Sequence, residues 1–91
     1  MKTYTVQIGN SDDKLTQKMW SQFIDEVDDL ILQWSYRIHF AGFSNPEAQW
    51  QNACWVFQIA DPTKVKIGLS ELGRKYNQDM VAWTVGNTEM I

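Results

Sequence analysis

Three consecutive residues, Trp50, Gln51 and Asn52, combine an indole ring with two carboxamide side chains. A ring can stack on a flat ligand, and carboxamides both donate and accept hydrogen bonds. This mixture therefore suits recognition of a nucleobase or another planar molecule. A tryptophan at the base of a hairpin can equally close the end of the core, with Gln51 and Asn52 completing backbone hydrogen bonds. Both interpretations stay open on the sequence alone.

A second polar segment contains Asn10, Asp12, Asp13 and Lys14, directly before a predicted helix. Because helix N-termini favour anions, Lys14 and backbone N–H groups could hold a phosphate there. The two carboxylates could instead accept hydrogen bonds from ribose hydroxyls or base amines, and they oppose phosphate binding unless a cation intervenes. The alternative is an ordinary turn in which Asp13 complements the helix dipole.

Catalytic and metal-binding groups are not indicated by the sequence. His39 and Cys54 both fall in the middle of predicted strands, with no third group to orient them. Paired carboxylates for acid–base chemistry could be drawn from four residues: Asp12, Asp13, Glu47 and Asp79. No Cys/His ligand spacing, Walker motif or dinucleotide fingerprint is present. We therefore predict no catalytic residue, no metal and no cofactor.

Hydrophobic periodicity predicts the elements that position these residues. Period-two alternation predicts four strands, over residues 3–8, 35–43, 53–60 and 80–85. Three- and four-residue spacing predicts helices over residues 17–34 and 62–76. The acidic run from Asp25 to Asp29 is expected to be a solvated face of the first helix, and Gly68 and Gly73 are expected to weaken the second. Thr16 is a suitable N-cap for the first helix, and Asp61 followed by Pro62 marks the start of the second.

The resulting order, β-α-β-β-α-β, predicts one ferredoxin-like α+β domain over residues 1–91. Two helices would cover one face of a four-stranded antiparallel sheet with spatial order four, one, three, two. This arrangement brings three polar loops to one edge, and we call them the polar rim: residues 9–15, 44–52 and 76–79. The third loop adds Gln78 and Asp79 to the candidate ligand-binding residues.

The other face of the predicted sheet has no helix to cover it. In the second strand, Tyr36, Ile38 and Phe40 are predicted to face the core. The opposite, open face has a mixed composition that a second copy of the chain could cover. We predict a homodimer or larger homo-oligomer with four interface residues: Arg37, His39, Val56 and Gln58.

Composition and charge narrow the range of partners. The chain has 91 residues, 13% of them aromatic, and a formal net charge of −3. No run of Lys and Arg occurs, which disfavours binding of long nucleic acids, although a mononucleotide needs only one or two cations. The single cysteine, Cys54, suits a reducing compartment, and no apolar stretch approaches the ~20 residues of a membrane span. We expect a cytoplasmic protein that does not bind membranes.

Three blocks of the sequence resemble those of small uncharacterised proteins of bacteria and their phages. The blocks are residues 8–16 (IGNSDDKLT), 50–57 (WQNACWVF) and 78–84 (QDMVAWT). The resemblance implies that the blocks are characteristic of a family, and a phage setting implies action in the host cytoplasm against a host pathway.

We expect a non-enzymatic binding protein that captures a small polar ligand, with a nucleotide signal as the leading candidate. Such capture would interfere with host defence if the protein is phage-encoded. The first alternative is a protein-interaction module that inhibits a host protein. The second is a small nucleotide-cleaving enzyme.

Overall fold

The computed structural model describes residues 1–45 and 50–91, so the prediction that involves Glu47, and the middle of the second rim loop, lie outside the described residues. The elements are β1 (Lys2–Gly9), α1 (Gln17–Trp34), β2 (Ser35–Phe43), β3 (Asn52–Ile59), α2 (Thr63–Lys75) and β4 (Ala82–Asn87). A short 3₁₀ turn, Ser11–Asp13, stands between β1 and α1. The predicted order of strands and helices is confirmed.

The four strands form one antiparallel sheet in the order β2-β3-β1-β4. β1 lies in the interior of the sheet, with Val6 opposite Trp55 of β3 and Trp83 of β4. β2 pairs with β3 on the other side. Since every neighbouring pair is antiparallel, β1 and β2 run in the same direction, as predicted. The chain has the ferredoxin-like α+β fold.

The core lies between the sheet and the two helices. Its buried residues alternate along β1 and β3 and recur at helical spacing along α1 and α2, which is why one face of the sheet needs both helices. The buried apolar side chains are Tyr4, Val6, Ile8, Leu15, Trp20, Phe23, Val27, Ile31, Ala53, Trp55, Phe57, Ile59, Val65, Leu69 and Tyr76. Within the described residues, neither helix has the length and apolar character needed to cross a membrane.

Both helices begin close to their predicted positions. The Thr16 side chain accepts a hydrogen bond from the Met19 backbone N–H at 3.2 Å, which caps α1. α2 begins at Thr63, one residue later than predicted, and the Asp61 carboxylate accepts a hydrogen bond from the Thr63 N–H at 3.0 Å. Hydrogen bonding by Thr63 lowers the pKa of Asp61 below its usual value.

The predicted facing of β2 is wrong at Phe40, and Tyr36, which was also predicted to face the core, is 68% exposed. The register of β2 against β3 shifts between Ser35 and Arg37 and again between Ile38 and Phe40. Each irregularity changes the face to which the following side chains point. Ile38 stays on the core face, whereas Phe40 lies opposite Val56 on the open face and is 56% exposed.

The predicted bounds of the fourth strand, residues 80–85, are displaced by two residues. β4 starts at Ala82 and continues through Asn87, which lies opposite Lys2. The preceding segment instead continues the turn that ends α2, because the Gln78 backbone N–H donates to the Gly73 carbonyl at 2.8 Å. Asn77 takes a left-handed conformation with φ of 54° in this turn.

The acidic run of α1, expected to be a solvated face, is only partly so. Trp55 Nε1 donates to Asp28 Oδ1 at 2.9 Å, and the Tyr76 hydroxyl donates to a Glu26 carboxylate oxygen. These two acids satisfy the polar ends of buried aromatic residues, which the burial of Trp55 and Tyr76 requires. The prediction is therefore wrong for Glu26 and Asp28, which are half-buried, and right for Asp25 and Asp29, which are exposed.

Candidate functional site

The first loop of the polar rim is organised by the Asn10 side chain. Its Nδ2 donates to Gln51 Oε1 at 2.7 Å and to the Leu15 carbonyl at 3.0 Å. Its Oδ1 accepts from the Leu15 N–H at 2.9 Å. Asp12 and Asp13 follow in the left-handed region, each with φ of 54°, and both are exposed. Asn10 therefore acts as a turn residue that also reaches the second loop.

The second loop contributes one buried amide and one exposed ring. Gln51 is 8% exposed, and its Nε2 donates to Gln17 Oε1 at 3.0 Å. Trp50 is 70% exposed, which excludes the interpretation that its ring closes the end of the core. The Asn52 side chain donates to the Trp50 carbonyl at 3.4 Å, and its backbone N–H donates to Ser44 Oγ at 3.0 Å.

The third loop is tied to the first by three contacts, one to Ser11 and two to Lys14. Gln78 Oε1 accepts from the Ser11 backbone N–H at 2.7 Å. Lys14 Nζ lies 3.4 Å from Asp79 Oδ1, 3.4 Å from the Asn77 carbonyl and 3.9 Å from Asp12 Oδ2. The structure thus brings the described parts of all three loops together at one edge, as the topology predicts.

Much of the polar rim is occupied in holding itself together. The amides of Asn10, Gln51 and Gln78 hydrogen-bond across the loops, so they are committed to the fold. The exposed side chains at the rim include Trp50, Asn52, Lys14 and the carboxylates of Asp12, Asp13 and Asp79. Of these, Asp13 Oδ1 accepts from Asn10 Nδ2 at 3.4 Å. In the described residues, no group of three or more His, Cys, Asp and Glu side chains could hold a metal ion.

A concave surface adjoins the rim, and sequence reasoning missed most of it. It is a groove of about 300 Å³ between α2 and β4, which we call the α2–β4 groove. Among the described residues, Gln78 and Asp79 are the only predicted ligand-binding residues that line the groove. The other lining residues are Lys66, Leu69, Ser70, Gly73, Arg74, Met80, Val81 and Trp83. Three of them, Lys66, Ser70 and Arg74, recur every four residues, a spacing that places them on one helix face.

The α2–β4 groove combines cations with an aromatic wall. Lys66 Nζ lies 5.4 Å from the centroid of the Trp83 ring. Arg74 Nη1 donates to Ser70 Oγ at 3.4 Å. Trp83 is half-buried and packs on Tyr4 and Phe57 at centroid distances of 5.5 and 6.2 Å, so its ring is held by the core. The groove is a surface on which an anionic group and a flat group could both be bound.

Two other concave surfaces, over the helices, are larger than the α2–β4 groove but are lined by several carboxylates. One, of about 410 Å³, is lined by the carboxylates Glu26, Asp29 and Glu71. The other, of about 490 Å³, is lined by Asp25 and Glu26. Lys75 lines both, and its Nζ is already 2.6 Å from Glu26 Oε1. These surfaces do not favour an anion.

Two pKa values are shifted where Lys75 and Tyr76 contact Glu26. Hydrogen bonds from Lys75 and Tyr76 hold the pKa of Glu26 below its usual value. Burial, reinforced by the hydrogen bond to Glu26, raises the pKa of Tyr76 to about 12. Both shifts follow from an arrangement that ties α1 to the end of α2.

The residues predicted as a subunit interface lie on or beside the open sheet face. Arg37 and His39 are exposed and Val56 is half-buried, whereas Gln58 is 4% exposed because Met1 covers it. Phe40 joins this face, and its ring lies over Gly42. Cys54 is half-buried opposite Gly42, and His39 falls at the irregularity in β2.

Comparisons with known proteins bear on the fold alone. No protein-family model matches the chain, and no curated protein matches it. Among solved structures, it is similar to the C-terminal domain of the MgtC protein from Mycobacterium tuberculosis. The TM-score is 0.66 and the identity is 11%, over 94% of this chain and 88% of that one. The likeness supports the ferredoxin-like architecture derived above.

Proposed function

We propose that this protein is a non-enzymatic binding protein that captures a small polar ligand, with a nucleotide as the leading candidate. The observation that carries the proposal is the α2–β4 groove, where two cationic side chains and the Trp83 ring line one concavity beside the polar rim. Ligand sites are typically concave, with apolar walls and a few placed polar groups.

The rim would form the mouth of this site. Asp79 lines the groove and is paired with Lys14, so the rim and the groove share a residue. Trp50 presents an exposed ring at the same edge, and exposed rings stack on nucleobases without needing a particular sequence. Capture rather than cleavage is favoured because Asp79 is held by Lys14 and the rim amides are committed to each other.

Native mass spectrometry of the gently purified protein, alone and with a panel of nucleotides, tests ligand capture. We expect a discrete added mass that is lost on denaturation. Trp50→Ala should weaken retention without changing the melting temperature, because that ring is exposed. Trp34→Ala is the matched control, since Trp34 is partly exposed at the far end of α1.

An empty wild-type protein under all conditions would contradict ligand capture. Equal retention by the wild type and Trp50→Ala would show that Trp50 is not part of the site, which would then consist of the groove without the Trp50 ring. A large fall in melting temperature for Trp50→Ala would contradict the exposed position of the ring.

The biological setting remains part of this proposal. The resemblance to small bacterial and phage proteins supports capture of a host nucleotide signal, in the host cytoplasm, as interference with defence. A homodimer formed through the open sheet face is part of the same proposal. Its support is that no Asp or Glu of the described residues lies in any of the four strands.

A protein-interaction module that inhibits a host protein is the second candidate. The observation that favours it is the set of exposed aromatic side chains on the edge strand β2: Tyr36, Phe40 and Phe43. Aromatic residues are common anchors at interfaces. Co-purification of one host protein that resists added nucleotide, and that is lost in Phe43→Ser, would support this candidate over ligand capture.

A further inference from the structure

Two cations of the α2–β4 groove have no carboxylate partner among the residues that the structure describes, although acidic residues outnumber basic ones by 11 to 8 in the sequence. Within the described residues, the ion pairs to carboxylates involve Lys14 and Lys75, not Lys66 or Arg74. Lys66 rests over the Trp83 ring, and Arg74 contacts the neutral Ser70 hydroxyl. Both contacts are weak enough to be exchanged for a stronger anionic partner.

We infer that the α2–β4 groove binds the phosphate of a small phosphate ester, with the ester's planar ring against Trp83. This inference rests on the proposed function and names its ligand class. Lys66, Ser70 and Arg74 lie at successive turns of one helix face and would contact the phosphate oxygens. The planar guanidinium of Arg74 matches two phosphate oxygens at once.

The Trp83 ring gives the second part of the site. It is fixed by its packing on Tyr4 and Phe57, so a ligand ring meets a surface that needs no reorganisation. Lys66 covers that ring when no ligand is present. Movement of its ammonium group to a phosphate would uncover the ring, which couples binding of the two halves of the ligand.

One carboxylate lies in the groove and must be accounted for. Asp79 would repel a phosphate, but its Oδ1 is 3.4 Å from Lys14 Nζ, so its charge is offset by a cation outside the groove lining. The volume of about 300 Å³ also sets the size of the ligand. It lies at the lower end of the ligand-pocket range of about 300–1,000 Å³ and suits a single mononucleotide.

Titration of ¹⁵N-labelled protein with AMP, adenosine and inorganic phosphate, followed by NMR, tests the inference. We expect AMP to shift the backbone signals of Ser70, Gly73 and Arg74 and the indole N–H signal of Trp83. Adenosine should bind at least about tenfold more weakly, because it lacks the charged hydrogen bonds. Inorganic phosphate should shift the α2 signals, with only a small change at the indole N–H signal, from the departure of Lys66.

The double variant Lys66→Gln/Arg74→Gln should lose at least about tenfold in AMP affinity. Glutamine keeps much of each apolar stem, and both residues are exposed, so the fold should persist. Lys64→Gln is the matched control, since Lys64 lies on the same helix with its Nζ 4.8 Å from the Trp34 ring, outside the groove. It should bind AMP like the wild type.

Equal binding of AMP and adenosine by the unchanged protein would overturn the phosphate site but leave ligand capture standing. AMP shifts confined to residues outside the groove would overturn it as well. If no phosphate compound shifts any signal, the inference fails, and retention of another mass in the native spectrum decides whether ligand capture fails with it. The comparison of AMP with adenosine needs no variant, so a variant that unfolds cannot obscure the result.

Discussion

Tyr76 links the core to the surface through a single hydroxyl. Its ring is 6% exposed and stacks on Phe23 at a centroid distance of 4.8 Å. Its hydroxyl donates a hydrogen bond to Glu26, which also accepts one from Lys75 Nζ. Ionisation of the phenol would place a buried negative charge beside a carboxylate, so the folded protein resists it.

Because Tyr76 ionises more readily in the unfolded chain than in the folded protein, we expect the protein to lose stability in alkali. The pKa of Tyr76 is raised from its ordinary value of 10 to about 12 in the folded protein. The stabilisation is therefore complete below pH 10 and is lost as the pH rises towards 12, at up to about 1.4 kcal/mol per pH unit. Urea unfolding from pH 8 to 12 should show a shallower alkaline decline for Tyr76→Phe than for the wild type.

Tyr36→Phe is the control for this alkaline effect, because Tyr36 is 68% exposed and does not hydrogen-bond to a carboxylate of the described residues. Its decline should match that of the wild type. A wild-type decline unchanged by Tyr76→Phe would show that Tyr76 ionises as easily in the folded protein as in the unfolded one.

At the scale of residues, polar side chains in loops were the hardest to interpret from sequence. The chain predicts that Asn10, Gln51 and Gln78 share an edge, and they do. Amides of this kind can read a ligand or hold loops together, and composition does not separate the two uses. Lys66, Ser70 and Arg74 were missed because their partner, Trp83, is distant in sequence, and only the fold brings it to them.

The packing of the two helices depends on the small size of Gly68. A Cβ added there would lie 2.7 Å from Leu30 Cδ2 on α1, inside ordinary contact distance. Gly68 was expected only to weaken α2, because glycine has low helix propensity. Its role in letting α1 approach could not be predicted, since helix spacing is a tertiary property.

Gly68→Leu should therefore destabilise the protein by about 1–3 kcal/mol, the usual cost of overpacking. Gly68→Ala should cost less, because a gain of about 1 kcal/mol in helix propensity offsets displacement of the Leu30 side chain. Chemical unfolding measures both. Gly86→Ala is the control, since no atom lies within 4 Å of a Cβ added at Gly86.

A cycle of Gly68→Ala and Leu30→Ala separates contact from propensity. Gly68→Ala should be more favourable when Leu30 is already Ala, because the crowded methyl groups are gone. Strict additivity of the two changes, or full stability of Gly68→Leu, would mean that the helices leave more room than the structure shows.

Element order and both helix starts follow from local signals, and the strand order follows from that element order and the right-handed crossover rule, so all of these could be predicted. Strand faces depend on register as well. One irregularity in β2 sends Phe40 to the open face, and periodicity gives no warning of it. The displaced start of β4 has a similar cause, since the turn after α2 uses residues whose apolar pattern resembles a strand.

Charge is distributed unevenly over the whole molecule. Among the described residues, no Asp or Glu lies in any of the four strands, whereas the helices and loops carry the acids. Two copies with a net charge of −3 each would repel through their helix layers. The open sheet face is the surface on which they could meet without that repulsion, and this supports the proposed homodimer.

Val56→Asp places a carboxylate in the middle of that face and should shift the protein from dimer to monomer. Sedimentation velocity at micromolar concentrations measures the change. Ile67→Asp is the control, because Ile67 is 55% exposed on α2, away from the sheet face. A monomeric wild type, or a Val56→Asp protein that still dimerises, would contradict this interface.

The position of β1 also constrains when the protein becomes functional during synthesis. β1 needs β3 on one side and β4 on the other, and β4 is the last of the four strands in the chain. A nascent chain that has emerged only through α2 therefore exposes one unpaired edge of β1. That edge is a hazard for pairing with other chains. Trp83 is part of β4, so a chain translated only through α2 has no complete α2–β4 groove. It should not bind the proposed ligand until β4 has paired with β1.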